Sequence, residues 1–199
     1  MPDSDTRHRQ RMTRKKAVVD AAISRAEQDK GLLLVLTGNG KGKSSSAFGM
    51  VARTLGYGLK AGVVQFIKSR RDTGEEKFLG GQPGVQWHVV GDGFTWETQN
   101  RDADIAAAQR GWSVAQGLLR DASLHLVVLD ELTYLLNYGY LDVQQVCADL
   151  AARPTMQHVV VTGRAAPQCL LDIADTVSEI QDTKHAFRAG VRAQPGIDL

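Results

Sequence analysis

Thr37-Gly38-Asn39-Gly40-Lys41-Gly42-Lys43-Ser44-Ser45 brings together the residue types that polyphosphate chemistry needs. Glycines let backbone N–H groups converge on phosphate oxygens, a lysine neutralises the outer phosphates, and a hydroxyl opening a helix reaches a divalent ion. Gly38, Asn39, Gly40, Lys41, Gly42, Lys43, Ser44 and Ser45 are therefore candidate nucleotide contacts, with Lys43 acting on the phosphates and Ser44 on the metal. The spacing departs from the usual loop, which is one residue longer between its glycines: Thr37 stands where the first glycine belongs. A triphosphate need not lie here as it does in ordinary nucleotide triphosphatases. Arg53, further along the helix after the loop, is either a nucleotide contact or a surface arginine.

A second constellation is Leu126-Val127-Val128-Leu129 followed by Asp130-Glu131. Nucleotide-binding sheets hold their metal on carboxylates at such a strand end, and open α/β sheets bind ligands there. Asp130 and Glu131 are candidate metal ligands; the plainer reading is an acid that caps the helix from Leu132. A glutamate at this place also activates water in ATPases, so hydrolysis stays open. A third is Gly91-Asp92-Gly93-Phe94-Thr95-Trp96-Glu97-Thr98-Gln99-Asn100. Phe94 and Trp96 share a face if the segment is extended, which makes either a platform for a large flat ligand or an aromatic anchor for the loop itself.

These residues need a scaffold, and the apolar runs supply one. Strands are expected at Leu32–Leu36, Gly62–Ile67, Val85–Val90, Leu124–Leu129, His158–Val161 and Thr176–Ile180. Several are apolar on both faces, as in strands covered by helices on each side. Helical patterns fall between them at Lys43–Leu55, Ala103–Arg120, Val143–Ala152 and Gln168–Ala174. Strand and helix in alternation predict an α/β fold of three layers, doubly wound around a mostly parallel sheet. The stretches Ser69–Gly84 and Gly91–Asp102 read as long connections, and Lys184–Leu199 as an extended wrap. An N-terminal helix is expected over 13–28, with Val19, Ile23 and Ala26 on one stripe; residues 1–30 form an arm and 31–199 the main domain.

Composition excludes other classes. In 199 residues, 43% are hydrophobic and 23% charged, the balance of a folded globular chain. Two cysteines, Cys147 and Cys169, build no disulfide framework, and no zinc-type spacing occurs. No apolar run reaches the roughly 18 to 20 residues of a membrane helix. The first residues lack the apolar core of a secretory signal, so a reduced cytoplasmic setting is expected. Residues 1–16 carry six Lys or Arg (Arg7, Arg9, Arg11, Arg14, Lys15, Lys16) against Asp3 and Asp5. Without interleaved aromatics this arm offers no base-stacking platform, so nucleic acid is not the expected partner.

Beyond these readings, the chain resembles the ATP:corrinoid adenosyltransferases of the CobA/BtuR/CobO type. The resemblance rests on Thr37–Ser45, Val64-Gln65-Phe66-Ile67-Lys68, Gly93–Arg101 (GFTWETQNR), Val127–Tyr134 (with LDELTY), Val161-Thr162-Gly163-Arg164, Ala174–Glu179 and Lys184-His185-Ala186-Phe187. It is collinear from about Gly31 to the last residue, and the short phosphate loop is that family's own pattern. It implies a P-loop, RecA-like fold with an N-terminal helical arm. It implies transfer of the 5′-deoxyadenosyl group of ATP to cobalt(I) of a corrinoid with release of triphosphate.

The resemblance further implies that ATP lies reversed in the loop, that magnesium (or manganese) meets Ser44 with Glu131 or Asp130, and that Glu131 belongs to the nucleotide site. Phe94 and Trp96 would occupy the lower face of the corrin and favour four-coordinate cobalt(II), which is easier to reduce. A homodimer, a flavoprotein reductant and an arm that covers the site are implied as well. His185 matches a family segment without a physical role. Two other readings of the same motifs are a P-loop ATPase or kinase using Glu131 as base, and a corrinoid-binding chaperone.

Overall fold

The computed structural model describes residues 4–67, 73–90 and 101–198. The chain divides into two compact units, residues 1–30 and 31–199. The first holds one helix, α1 (Ser4–Ser24). It starts earlier than the apolar stripe predicts because residues 4–12 contain no glycine or proline and several good helix formers. Asp5 in its first turn also suits the positive end of the helix dipole. It stops at Ser24, short of residue 28, where the Ser24 hydroxyl donates to the Ala21 carbonyl and competes with the helical pattern.

In the second unit the strands are β1 (Leu33–Thr37), β2 (Ala61–Gln65), β3 (Val85–Val89), β4 (Leu126–Asp130), β5 (His158–Thr162) and β6 (Thr176–Glu179). The helices are α2 (Lys43–Gly56), α3 (Gly74–Leu79), α4 (Arg101–Arg120), α5 (Leu132–Asn137), α6 (Val143–Ala151) and α7 (Gln168–Ile173). The six strands form one sheet in the order β3-β2-β4-β5-β1-β6, and every pairing is parallel. All six expected strands are present.

Strand order and handedness decide the layers. Crossovers β1→β2 and β2→β3 run toward one edge, and those after β3 run toward the other. Right-handed crossovers therefore put α2 and α3 on one face and α4 to α7 on the opposite face. Side-chain alternation agrees. Leu36, Val63, Val128 and Val160 pack with Ala47, Phe48 and Val51 of α2 and Leu79 of α3. Their neighbours Val35, Val64, Leu129 and Val161 pack with Trp112 and Ala115 of α4, Leu132 of α5, Leu150 of α6 and Leu170 of α7. β2 and β4 are buried at every position, which explains their continuous apolar runs.

On α4 the buried set Ala108, Gly111, Trp112, Ala115, Leu118 and Leu119 keeps the helical period. Asp142 caps α6 by accepting from the N–H groups of Gln144 and Gln145. The stretch expected as a plain connection after Ser69 contains α3, started by Thr73, whose side chain accepts from the Glu76 N–H. The tail is not wholly extended: a short 3-10 turn spans Ala186–Ala189. Because the sheet is parallel, Thr37, Gln65, Asp130, Thr162 and Glu179 all end on one rim.

Candidate active site

Gly38 and Gly40 lie against the chain just beyond β6: a Cβ on either would sit 2.5 Å from a carbonyl oxygen, of Ile180 and Gln181 respectively. The Gly40 N–H donates to the Ile180 carbonyl at 2.7 Å, and the Ile180 N–H donates to the Thr37 carbonyl at 2.8 Å. The Gly40 N–H, expected to face phosphate along with those of Asn39–Ser45, is instead engaged by the protein. Gly42 is needed for a different reason, a left-handed backbone with φ 118°, and a Cβ there would meet nothing within 4 Å.

Gly42 is the N-cap of α2, and the first helical bond runs from the Ser46 N–H to the Gly42 carbonyl. The N–H groups of Lys43, Ser44 and Ser45 precede that bond at the positive end of the helix. Lys43 Nζ donates to the Gly40 carbonyl at 2.6 Å. Burial and then the nearby Arg164 charge hold the Lys43 ammonium below its ordinary pKa, while Glu131 and Asp130 act in the opposite sense. Two cations and two carboxylates thus converge at the end of β1.

The two carboxylates are placed differently. Asp130 is fully buried: the Thr162 hydroxyl donates to its Oδ1 at 2.7 Å and Gln65 Nε2 to its Oδ2 at 3.1 Å. Gln65 Oε1 accepts from the Trp87 indole N–H at 3.2 Å, and Thr162 Oγ1 accepts from the Glu131 N–H at 2.9 Å. A polar chain thereby crosses β3, β2, β4 and β5 in sheet order, on the face that α2 covers. Glu131 turns out of it with a left-handed backbone, φ 64°, which a glutamate adopts only under constraint.

The loop after β5 is equally constrained. Gly163 has φ 144° and Ala165 φ 48°. The Thr133 hydroxyl and Asn137 Nδ2 both donate to the Arg164 carbonyl, and the Ala166 N–H donates to Thr37 Oγ1. The residue that replaces the usual loop glycine thus ties the phosphate-type loop to the Arg164 loop.

A cleft of about 720 Å³ lies where these loops meet. Asn39, Gly40, Lys41, Gly42, Lys43, Ser44, Ser45 and Glu131, all candidate nucleotide or metal contacts, line it. Gly38, Asp130 and Arg53 do not; Asp130 stands behind the lining, and Arg53 is exposed on α2 past Ala52. Phe94 and Trp96 lie outside the described residues. Tyr134, Thr162, Arg164, Phe78, His185, Ile197 and Asp198, to which no sequence motif assigns a role, line the cleft as well. For Arg164 a signal existed: it follows a strand that had to end on the same rim as β1 and β4.

Burial raises the Tyr134 phenol above its ordinary pKa, so it stays protonated in the cleft. His185 Nδ1 accepts from the Phe187 N–H. Lys41 Nζ meets Asp198 Oδ1 at 2.6 Å, and that contact leads the causes holding the Asp198 carboxyl below its ordinary range. No helix among the described residues is long and apolar enough to cross a membrane.

Comparison with known proteins adds an independent finding. A family model described as ATP:corrinoid adenosyltransferase BtuR/CobO/CobP matches residues 29–199. A second, described as cob(I)alamin adenosyltransferase N terminal, matches residues 1–23. The chain is 59% identical to the corrinoid adenosyltransferase of Pseudomonas aeruginosa over 199 residues, covering 100% of this chain and 98% of that one. It is 50% identical to corrinoid adenosyltransferase CobA of Salmonella typhimurium over 196 residues, covering 98% and 99%. It is 49% identical to the corrinoid adenosyltransferase of Escherichia coli K12 over 196 residues, again 98% and 99%.

Proposed function

The chain belongs to the BtuR/CobO/CobP family of ATP:corrinoid adenosyltransferases, and from that premise we propose how its cleft divides the work of the reaction. The enzyme transfers the 5′-deoxyadenosyl group of ATP to cobalt(I) of a corrinoid. The Co–C bond forms at C5′ while the bond from C5′ to the triphosphate oxygen breaks, so negative charge grows on the leaving group. The reduced metal is the nucleophile, and the protein need supply no Ser, Cys or His for attack. Its tasks are to hold C5′ in line with cobalt and to stabilise the departing anion.

The observation that carries this reading is the convergence of the α2 N-terminus, Lys43 and Arg164 on one cleft. Two unit charges about 4 Å apart at an effective dielectric near 20 interact by roughly 4 kcal/mol, so two fixed cations beside a triphosphate outweigh any single neutral hydrogen bond. Lys43 is preset by the Gly40 carbonyl, and Arg164 by the constrained loop whose carbonyl Thr133 and Asn137 hold.

Magnesium fits this donor set. Ser44 and Glu131 line the same cleft, and one hydroxyl plus one carboxylate with substrate phosphate oxygens is how this ion is commonly held. Bound there, it would neutralise phosphate charge. Among the described residues no cluster of three or more His, Cys, Asp or Glu offers an all-protein cage. Asp130, engaged by Thr162 and Gln65, acts from behind by fixing the strand end from which Glu131 departs.

By family likeness Phe94 and Trp96 serve the lower corrin face, residues 1–30 cover the site, a flavoprotein supplies the electron and the enzyme is a homodimer. The match of residues 1–23 to the family's N-terminal segment supports the second of these. The test of the anion site is Arg164→Ala, assayed with prereduced cobalt(I) and with cobalt(II) plus reductant. Loss of a fixed donor to a developing anion costs roughly 10²–10³ in kcat. An equal loss in both assays is the expected outcome; full activity would remove Arg164 from the anion site.

A further inference from the structure

The chain has two cysteines, and the fold brings them together although 22 positions separate them. Cys147 lies on α6 and Cys169 on α7, and their sulfur atoms are 2.8 Å apart, closer than non-bonded sulfurs normally pack. Both are free thiols. We propose that Cys147 and Cys169 are a redox-reactive pair that a hydroperoxide converts reversibly into an intramolecular disulfide joining α6 to α7.

The two members are placed for different parts of that reaction. Cys147 is buried in the core cluster with Val146, Leu150 and Leu170. Cys169 is half-buried, with Gln144 Oε1 at 3.7 Å from its sulfur, so it is the member an oxidant can reach. Burial, reinforced by the adjoining Cys169, pushes the Cys147 thiol up to about 12, which keeps it protonated and unreactive toward solvent oxidants.

In the first step the Cys169 sulfur attacks the terminal peroxide oxygen while its thiol proton passes to the departing alkoxide or hydroxide. The O–O bond breaks, an alcohol (or water, from hydrogen peroxide) leaves, and Cys169 becomes a sulfenic acid. In the second, Cys147 sulfur attacks Cys169 sulfur. The S–O bond breaks and the departing hydroxide takes the Cys147 proton as water. Two thiols lose two electrons and two protons, and the peroxide is reduced by two electrons. A dithiol returns the pair to the reduced state.

Both helices are already fixed for the bond. Asp142 caps the start of α6, and Leu170 seats α7 in the same core. The loop that the disulfide would close runs from α6 through β5 and the Arg164 loop. Constraining it limits the unfolded chain and raises thermal stability.

The test treats the full-length reduced protein with a small excess of hydrogen peroxide. It is then denatured, alkylated with iodoacetamide and weighed intact without reductant. The expected product is a monomer lighter by two hydrogen atoms that takes up no alkyl group, yields a linked Cys147–Cys169 peptide and melts a few degrees higher. Dithiothreitol should restore both alkylation sites and the original melting point. Cys169→Ser, at the more exposed position, should leave Cys147 fully alkylatable after the same treatment. Cys147→Ala should leave Cys169 as a sulfenic acid that dimedone traps. Sulfinic acid on Cys169 beside an alkylatable Cys147 in the unmodified sequence would overturn the proposal. So would a disulfide between two chains, or two intact thiols after peroxide.

Discussion

Asp130 and Glu131 are adjacent in sequence and opposite in circumstance: one is sealed in the sheet and the other lines the cleft. Thr162 links them, donating to Asp130 and accepting from the Glu131 N–H. Thr162→Val keeps the shape and removes that hydroxyl. Breaking buried hydrogen bonds in this way costs about 1–3 kcal/mol, so denaturant unfolding should show a loss of that size. Turnover should fall as well, because the Glu131 backbone loses its tether; unchanged stability and turnover together would count against the polar chain. Lys43→Ala should lower turnover with cobalt(I) and cobalt(II) alike, measured by the growth of adenosylated corrinoid. The cleft was legible where it is local: strand, glycines, Lys43 and Ser44 follow one another, and Asp130-Glu131 end one apolar run. The roles of Gln65 and Thr162 escaped because their partners lie on other strands, and no spacing within one segment records strand order; Arg164 was signalled only by its place after a strand bound for the same rim.

At the scale of elements, the turn after β5 sets the position of Arg164. A Cβ on Gly163 would sit 2.0 Å from Thr133 Oγ1, on a backbone that L side chains rarely adopt. Gly163→Ala should therefore lower the thermal midpoint and the activity together, and Thr133→Ala in the same chain should restore stability only in part, since the backbone strain remains. At the opposite end of the sheet, His158 Nδ1 accepts from the Leu32 N–H at 3.0 Å while Asp175 accepts from the Leu33 N–H. Burial, then the Arg153 charge, hold the His158 imidazole below its ordinary pKa. Its contribution to stability is thus full above the unfolded value of about 6.5 and is lost as pH falls through the lower folded value. Unfolding free energy followed from pH 7.5 downward should decline more steeply for the natural chain than for His158→Gln; parallel curves would contradict this. β1, β2, β4 and β5 were legible from their apolar runs, whereas β3, broken by Gln86 and His88, and the exposed β6, with Val177 its one aliphatic residue, carry a weaker signal. Helix α3 was not read, although Thr73 and Glu76 stand at a capping spacing, because that signal was masked by the surrounding polar stretch.

Over the whole molecule, a parallel sheet gathers the ends of β1, β4 and β5 on one rim, and the C-terminal tail returns to that rim. Lys41 there shares its charge with Asp198. With Lys41 taken as a nucleotide contact, the Asp198 carboxylate would compete with a triphosphate for it, so Asp198→Asn should lower the KM for ATP at low ionic strength, with the difference closing as salt is added. A KM that is unchanged or raised would show that the tail contact assists binding. The destination of the tail was not readable, since residues 184–199 carry no period and a single exposed ion pair leaves no pattern. Adenosyl transfer with the triphosphate as leaving group can be followed by anaerobic incubation of the protein with ATP, magnesium and chemically reduced cob(I)alamin, read by absorbance and phosphorus NMR. The expected products are a light-sensitive adenosylated corrinoid and one intact triphosphate for each one formed. ADP and phosphate beside an unchanged corrinoid would contradict adenosyl transfer and return Glu131 to consideration as a hydrolytic base.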